Sequence, residues 1–158
     1  MKKVIFSILF FISSLFSADI LDKNYNDVKT LVQEVCPIKS VSIENHKDWI
    51  GIVEGKDGNL VALSSPKYTF AYELLQKKRE GEDSVKNIYV TDFKTKKLID
   101  AKTAFYVFGS NIMSIGGDDV IPFALESDAK EFFDKNHGRQ IYKYDRMNEN
   151  FINYLDMR

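Results

Sequence analysis

Hydrophobic positions along this chain change their period several times, and each change marks an element. Val28, Leu31, Val32, Val35 and Cys36 recur at i, i+3, i+4, i+7 and i+8, the spacing of one helical stripe. That pattern predicts an amphipathic helix capped by Asn26 or Asp27 and closed by Pro37, with Cys36 on its buried face. Residues 49–54 (WIGIVE) and 59–63 (NLVAL) are short β-like runs joined by Gly55-Lys56-Asp57-Gly58, a hairpin turn signal. Ser65-Pro66 then opens a helix with a serine cap and proline at its first position. Phe70/Leu74 and Ala71/Leu75 set its expected inner face, and residues 76–79 (QKKR) its wet, basic end. Residues 85–91 (VKNIYVT) read as a strand.

The same order then returns. Residues 103–108 (TAFYVF) form a strand, followed by a loop rich in Gly and Asp. Residues 120–123 (VIPF) form another, which Pro122 places at a sheet edge. Ser127 caps a helix carrying Ala129, Phe132 and Phe133, Gly138 ends it, and residues 140–144 (QIYKY) close the unit. Phe70 and Phe132 hold comparable helix positions, as do Ile88 and Ile141 in the final strands. The expected class is therefore α+β: an N-terminal helix followed by two consecutive β-β-α-β modules, about 45–100 and 101–146. The repetition reads as an internal duplication, the alternative being two similar but unrelated meanders. The domain spans 19–146, and the tail 147–158 is either a short docking helix or frayed.

Composition changes the picture first at the N-terminus. Lys2-Lys3, an uncharged apolar run over 4–16, and small residues before Asp19 follow the order of a secretory signal peptide, cleaved after Ser17 or Ala18. The apolar run falls short of the ~20 residues of a bilayer-spanning helix, although an uncleaved anchor is the alternative. Removing residues 1–18 takes away two lysines and no acid, leaving 140 residues with 20 basic against 23 acidic groups and a formal charge of −3. That balance carries no footprint for nucleic acid. It describes a periplasmic domain with no stable membrane span after cleavage, long enough to bury a core without staples.

Enzyme signatures are absent: there is no Gly-rich phosphate loop, no GxSxG and no HExxH. Cys36 is the single cysteine, so an intramolecular disulfide is excluded. Pairing with His46 as a nucleophile would require an accessible thiol, whereas the stripe predicts burial. Soft sulfur ligands favour Cu(I), and the candidates are Cys36 and Met113, the latter in the Gly-bounded run 109–117 (GSNIMSIGG). Asp92, Asp100, Asp118 and Asp119 read as turn and solubility residues, and Lys94, Lys96 and Lys97 as a solvated hairpin tip.

Several of these runs resemble the NosL family: residues 87–93 (NIYVTDF), 98–110 (LIDAKTAFYVFGS), the methionine-bearing loop, Ile121-Pro122-Phe123-Ala124, and the helix opening Ser127-Asp128-Ala129-Lys130. The resemblance extends from about Cys36 to Arg146. NosL proteins are accessory factors of nitrous oxide reductase, and similar proteins bind Cu(I) for delivery to a copper enzyme outside the cytoplasm. The resemblance thus implies a metallochaperone-like accessory protein rather than an enzyme, with a client copper enzyme or another periplasmic protein as partner. Family members carry a Cys-Pro-x-Cys-Gly-Met type motif, and the matching run here is Cys36-Pro37-Ile38-Lys39-Ser40-Val41. Cys36 and Met113 remain as sulfur ligands, with His46 as a third, while the Lys39 ammonium would repel a cation beside it. The alternative is a metal-free NosL-like module that binds a partner protein.

Overall fold

A computed structural model describes residues 19–158; the expected signal peptide, 1–18, lies outside the described residues. Among the described residues, seven strands form two antiparallel sheets. In the first, β1 (Gly51–Gly55), β2 (Leu60–Leu63), β3 (Val85–Thr91) and β4 (Leu98–Asp100) lie in the order β2-β1-β3-β4. In the second, β5 (Phe105–Phe108), β6 (Val120–Phe123) and β7 (Gln140–Tyr142) lie in the order β6-β5-β7. Each sheet contains a strand, its hairpin partner, a helix and a returning strand, with the first strand in the centre. Pro122 sits on edge strand β6, opposite Tyr106, where its missing N–H breaks no ladder. β4, unforeseen as a strand, pairs with β3 through the lysine-bearing turn.

Four α-helices among the described residues accompany the sheets: α1 (Tyr25–Val28), α2 (Pro66–Glu80), α3 (Glu126–Lys135) and α4 (Glu149–Asp156). None of the described helices is long and apolar enough to cross a membrane. α1 corrects the sequence reading. It is a single turn, and its cap is Asn24, whose side chain accepts from Asn26 N while Asp27 returns the bond to Asn24 N. The chain then leaves the helix because Gln33 pairs with the exposed edge of β2. Its Nε2 donates to Ala62 O at 2.5 Å and its Oε1 accepts from Ala62 N at 3.0 Å. A side-chain amide thus completes a ladder that would otherwise end at an open edge. Leu31 and Val35, expected on a buried stripe, are about half exposed.

α2 is capped as the sequence requires, Ser65 accepting from Tyr68 N with Pro66 at the first helical position. Its inner face is rotated from the apolar one expected: Lys67, Phe70 and Glu73 are buried, and Leu75 is exposed. The polar members are tolerated because they are satisfied. Glu73 accepts from Lys77 Nζ at 2.7 Å and from the Tyr144 hydroxyl. α2 approaches β1 so closely that a β-carbon on Gly51 would stand 2.1 Å from Thr69 Oγ1.

The strands of the second sheet bury both faces by simple alternation. Tyr106, Phe108 and Val120 join the main core with α2 and α4, where Phe70 meets Tyr106 and Phe108 meets Phe151 edge-on. Val107, Ile121 and Phe123 pack with Ala129 and Phe132 of α3 in a second cluster. α3 begins one residue before the expected cap: Leu125 holds the cap position and Ser127 lies in the first turn. At its far end His137, not Gly138, takes the left-handed conformation at φ 56°. Gly138 is needed for space instead, since a β-carbon there would stand 2.5 Å from the Phe133 ring. The C-terminal stretch is a docked helix, α4, capped by Asn148 and burying Phe151, Ile152 and Leu155.

Candidate functional site

Cys36 opens a tight turn rather than sitting on a helix. Its N–H donates to Val41 O at 2.9 Å and its carbonyl accepts from Ser40 N at 2.8 Å, while Val35 and Ser42 form the bridge just outside. Ser40 closes the turn with a positive φ of 56°. In such an extended pair neighbouring side chains point to opposite faces, so Val35 faces solvent while Cys36 is completely buried. The expectation of a buried thiol holds, although the local geometry behind it is different.

Met113 lies on the loop between β5 and β6 and is 61% exposed. Ser114 and Gly117 exchange both backbone hydrogen bonds at 3.1 Å, making a tight turn with Ile115 and Gly116 at its tip. Two groups fasten this turn to the start of α2. Lys67 Nζ donates to Gly116 O at 2.6 Å and pairs with Asp156 of α4 at 3.0 Å. Asp119 takes the helix start itself: its Oδ1 accepts from Lys67 N and Val120 N, both at 2.8 Å, and its Oδ2 from Ser114 Oγ at 2.6 Å. A carboxylate there also meets the positive end of the helix dipole. Burial nonetheless pushes the Asp119 carboxyl up to about 6, against the opposing pull of the Ser114 and Ser65 hydroxyls and the two backbone donors.

The two turns converge on Tyr68. The Lys39 ammonium stands 6.0 Å and the Lys67 ammonium 5.6 Å from the centre of its ring. On the other loop, a β-carbon at Gly116 would come within 3.2 Å of Tyr68 Cζ and 2.9 Å of Lys67 Cε. The segments bearing Cys36 and Met113 thus reach the same aromatic side chain. His46 is half-buried in the short turn Glu44–His46 before β1. Its imidazole makes no hydrogen bond among the described residues. Nor do the described residues contain a group of three or more His, Cys, Asp or Glu side chains able to hold a metal ion.

Sequence reasoning missed the anchoring residues. Asp119, read as a turn and solubility residue, is buried and holds the methionine loop. Asp92 is also buried: it caps its own turn at Thr95 and accepts from Ala124 N, tying the first sheet to the end of β6. Lys67 gave no signal, because a lysine in the first turn of a helix reads as surface. Of the supposed hairpin-tip lysines, Lys94 pairs with Asp128 at 2.7 Å and Lys96 covers the Phe93 ring at 4.0 Å.

The fold is that of a solved protein, the copper chaperone NosL from Shewanella denitrificans. The two are 21% identical, with a TM-score of 0.62 over 73% of this chain and 90% of that one. No curated protein matches the chain. The model of the NosL family, a family of accessory proteins rather than enzymes, matches residues 27–152 and takes in both turns, Tyr68 and both sheets. The chain belongs to the NosL family.

Proposed function

We propose that this protein is a periplasmic accessory factor that handles Cu(I) during assembly of a copper-dependent respiratory enzyme, nitrous oxide reductase being the client the family points to. Family membership and the fold shared with a copper chaperone support the reading. The observation that carries it is Met113: a soft thioether held out to solvent on a turn fastened to α2, beside the turn that bears Cys36. A carrier must receive and release its cargo, so an accessible neutral sulfur suits the task. Cys36 lies beneath the surface and becomes a ligand only when its turn opens; His46 is the remaining donor. Export through residues 1–18 would bring the chain to the client. The matching strand orders of the two sheets support duplication of an ancestral β-β-α-β module, with 147–158 added as a docked tail.

A second reading, a metal-free module that binds a partner protein, is favoured by Lys39. Its ammonium has no acidic partner among the described residues and stands on the side of Tyr68 where the Cys36 turn lies. An anaerobic Cu(I) titration of the reduced protein against a chromophoric chelator separates the two. Stoichiometric capture weakened by Met113→Leu supports copper handling, and Cys36→Ser reports whether the thiol takes part. No capture, or capture indifferent to both substitutions, refutes copper handling and leaves the partner-binding reading.

A further inference from the structure

Besides Met113, one other sulfur-bearing side chain among the described residues is open to solvent. Of the remaining methionines among the described residues, Met147 is buried and Met157 is 79% exposed. Met157 is distant from Met113 in sequence, but its neighbours on both sides are fastened to the Met113 turn. Asp156 pairs at 3.0 Å with Lys67 Nζ, and the same ammonium donates to Gly116 O at 2.6 Å. Arg158 Nε pairs with Asp118 Oδ2 at 2.9 Å.

The geometry of the turn makes the second contact informative. Ser114 and Gly117 exchange both backbone bonds and close the turn as an isolated bridge, so Met113 and Asp118 are the residues that flank it on either side. The residue that grips Arg158 thus follows the same closed turn that Met113 precedes, and Met157 is the residue immediately before Arg158.

We propose that Met157 is the second sulfur of the cargo site: Met113 and Met157 together hold Cu(I) between two thioethers at the surface over the start of α2. This rests on the copper-handling reading above. It also explains why the last residues of the chain, beyond the family match that ends at 152, are tied down by two ion pairs. The charged groups that fasten the turn, Lys67 with Asp156 and Asp118 with Arg158, are matched in pairs, which leaves the Lys39 ammonium beside Tyr68 as the unpaired charge a bound cation would meet. Thioethers carry no proton to lose, so the site fills without the proton release that a thiolate ligand requires.

The test uses the reduced protein with 13C-methyl methionine and Ag(I) as a redox-inert stand-in, followed by Cu(I) competition. One equivalent of Ag(I) shifts the methyl signals of Met113 and Met157 together and leaves buried Met147 unmoved. Met157→Leu, at an exposed position, weakens Cu(I) capture by more than the ~10–100-fold that loss of an outer-shell partner costs, as does Met113→Leu. Capture that Met113→Leu weakens but Met157→Leu does not, with the Met157 methyl unshifted, overturns this inference and leaves copper handling standing. Absence of capture by the unaltered protein overturns both.

Discussion

Asp119 offers the most direct measurement of how the methionine loop is held. It is almost fully buried, and both oxygens accept hydrogen bonds: Lys67 N and Val120 N on one, Ser114 Oγ on the other. Burial raises its carboxyl to about 6 from an ordinary 3.8. The folded protein therefore binds more protons than the unfolded chain between about pH 4 and 6, and stability falls as pH rises through that window. Once both states are ionised, the cost of the buried charge is ~3 kcal/mol, taking 1.36 kcal/mol for each pKa unit.

Asp119→Asn removes the charge and keeps the shape. Its carbonyl can accept from the two backbone N–H groups, and its amide can donate to Ser114 Oγ once that hydroxyl rotates. In urea unfolding the variant is expected to exceed the unaltered protein by up to ~3 kcal/mol at pH 7.5 and to lose the advantage by pH 4. Taking the difference between the two proteins cancels the other carboxylates. Asp119→Ala, by contrast, strands two backbone donors and should cost ~2–4 kcal/mol at pH 4, a loss that shrinks by about 3 kcal/mol toward pH 7.5 because the buried charge is removed as well. An asparagine variant that is destabilised equally at pH 4 and 7.5 would refute the reasoning, showing that the loop needs an acceptor only a carboxyl supplies.

The other expectations concern packing and access. Gly51→Ala forces α2 off β1 at Thr69 and should lower stability by ~1–3 kcal/mol, partly recovered by Thr69→Gly, as read by denaturant midpoints. Cys36 is fully buried, so a thiol reagent should label it only on unfolding; rapid labelling of the native protein would overturn its placement. Tyr144→Phe removes a hydroxyl from buried Glu73 and should cost ~1–3 kcal/mol, with no change in metal capture.

Strands, turns and caps were legible where local chemistry decides them. The 55–58 turn, the Ser65-Pro66 start and the edge placement of Pro122 all follow from backbone rules that need no tertiary partner. The long N-terminal helix was not legible, because its competitor is remote in sequence: Gln33 gains more by completing the edge of β2 than by continuing a helical stripe. The inner face of α2 was misread for a related reason. Lys67 and Glu73 are polar by type, and only the arrival of Gly116, Asp156, Lys77 and Tyr144 makes their burial tolerable. The candidate site divides in the same way. Cys36 and Met113 are candidates by their sulfur chemistry alone, whereas Lys67, Asp119 and Asp156 act through contacts that sequence spacing does not encode.

A cargo site has two opposed requirements, and this arrangement meets them with different residues. Release needs ligands that are exposed and weakly held by the rest of the protein, which describes Met113 and Met157. Selective capture needs those ligands kept at a usable separation, because ordering two free side chains around an ion costs conformational entropy each time it binds. Here the backbone rather than the sulfur is restrained: Asp119 and Lys67 fix the turn, and Asp156 and Arg158 fix the chain end beside it. Breaking the restraint should therefore weaken capture without removing a ligand. Arg158→Ala leaves both methionines in place, and on this argument it lowers Cu(I) affinity by less than Met157→Leu while leaving the number of bound ions unchanged. Equal losses from the two variants would mean that the guanidinium, and not the thioether, is what the site requires.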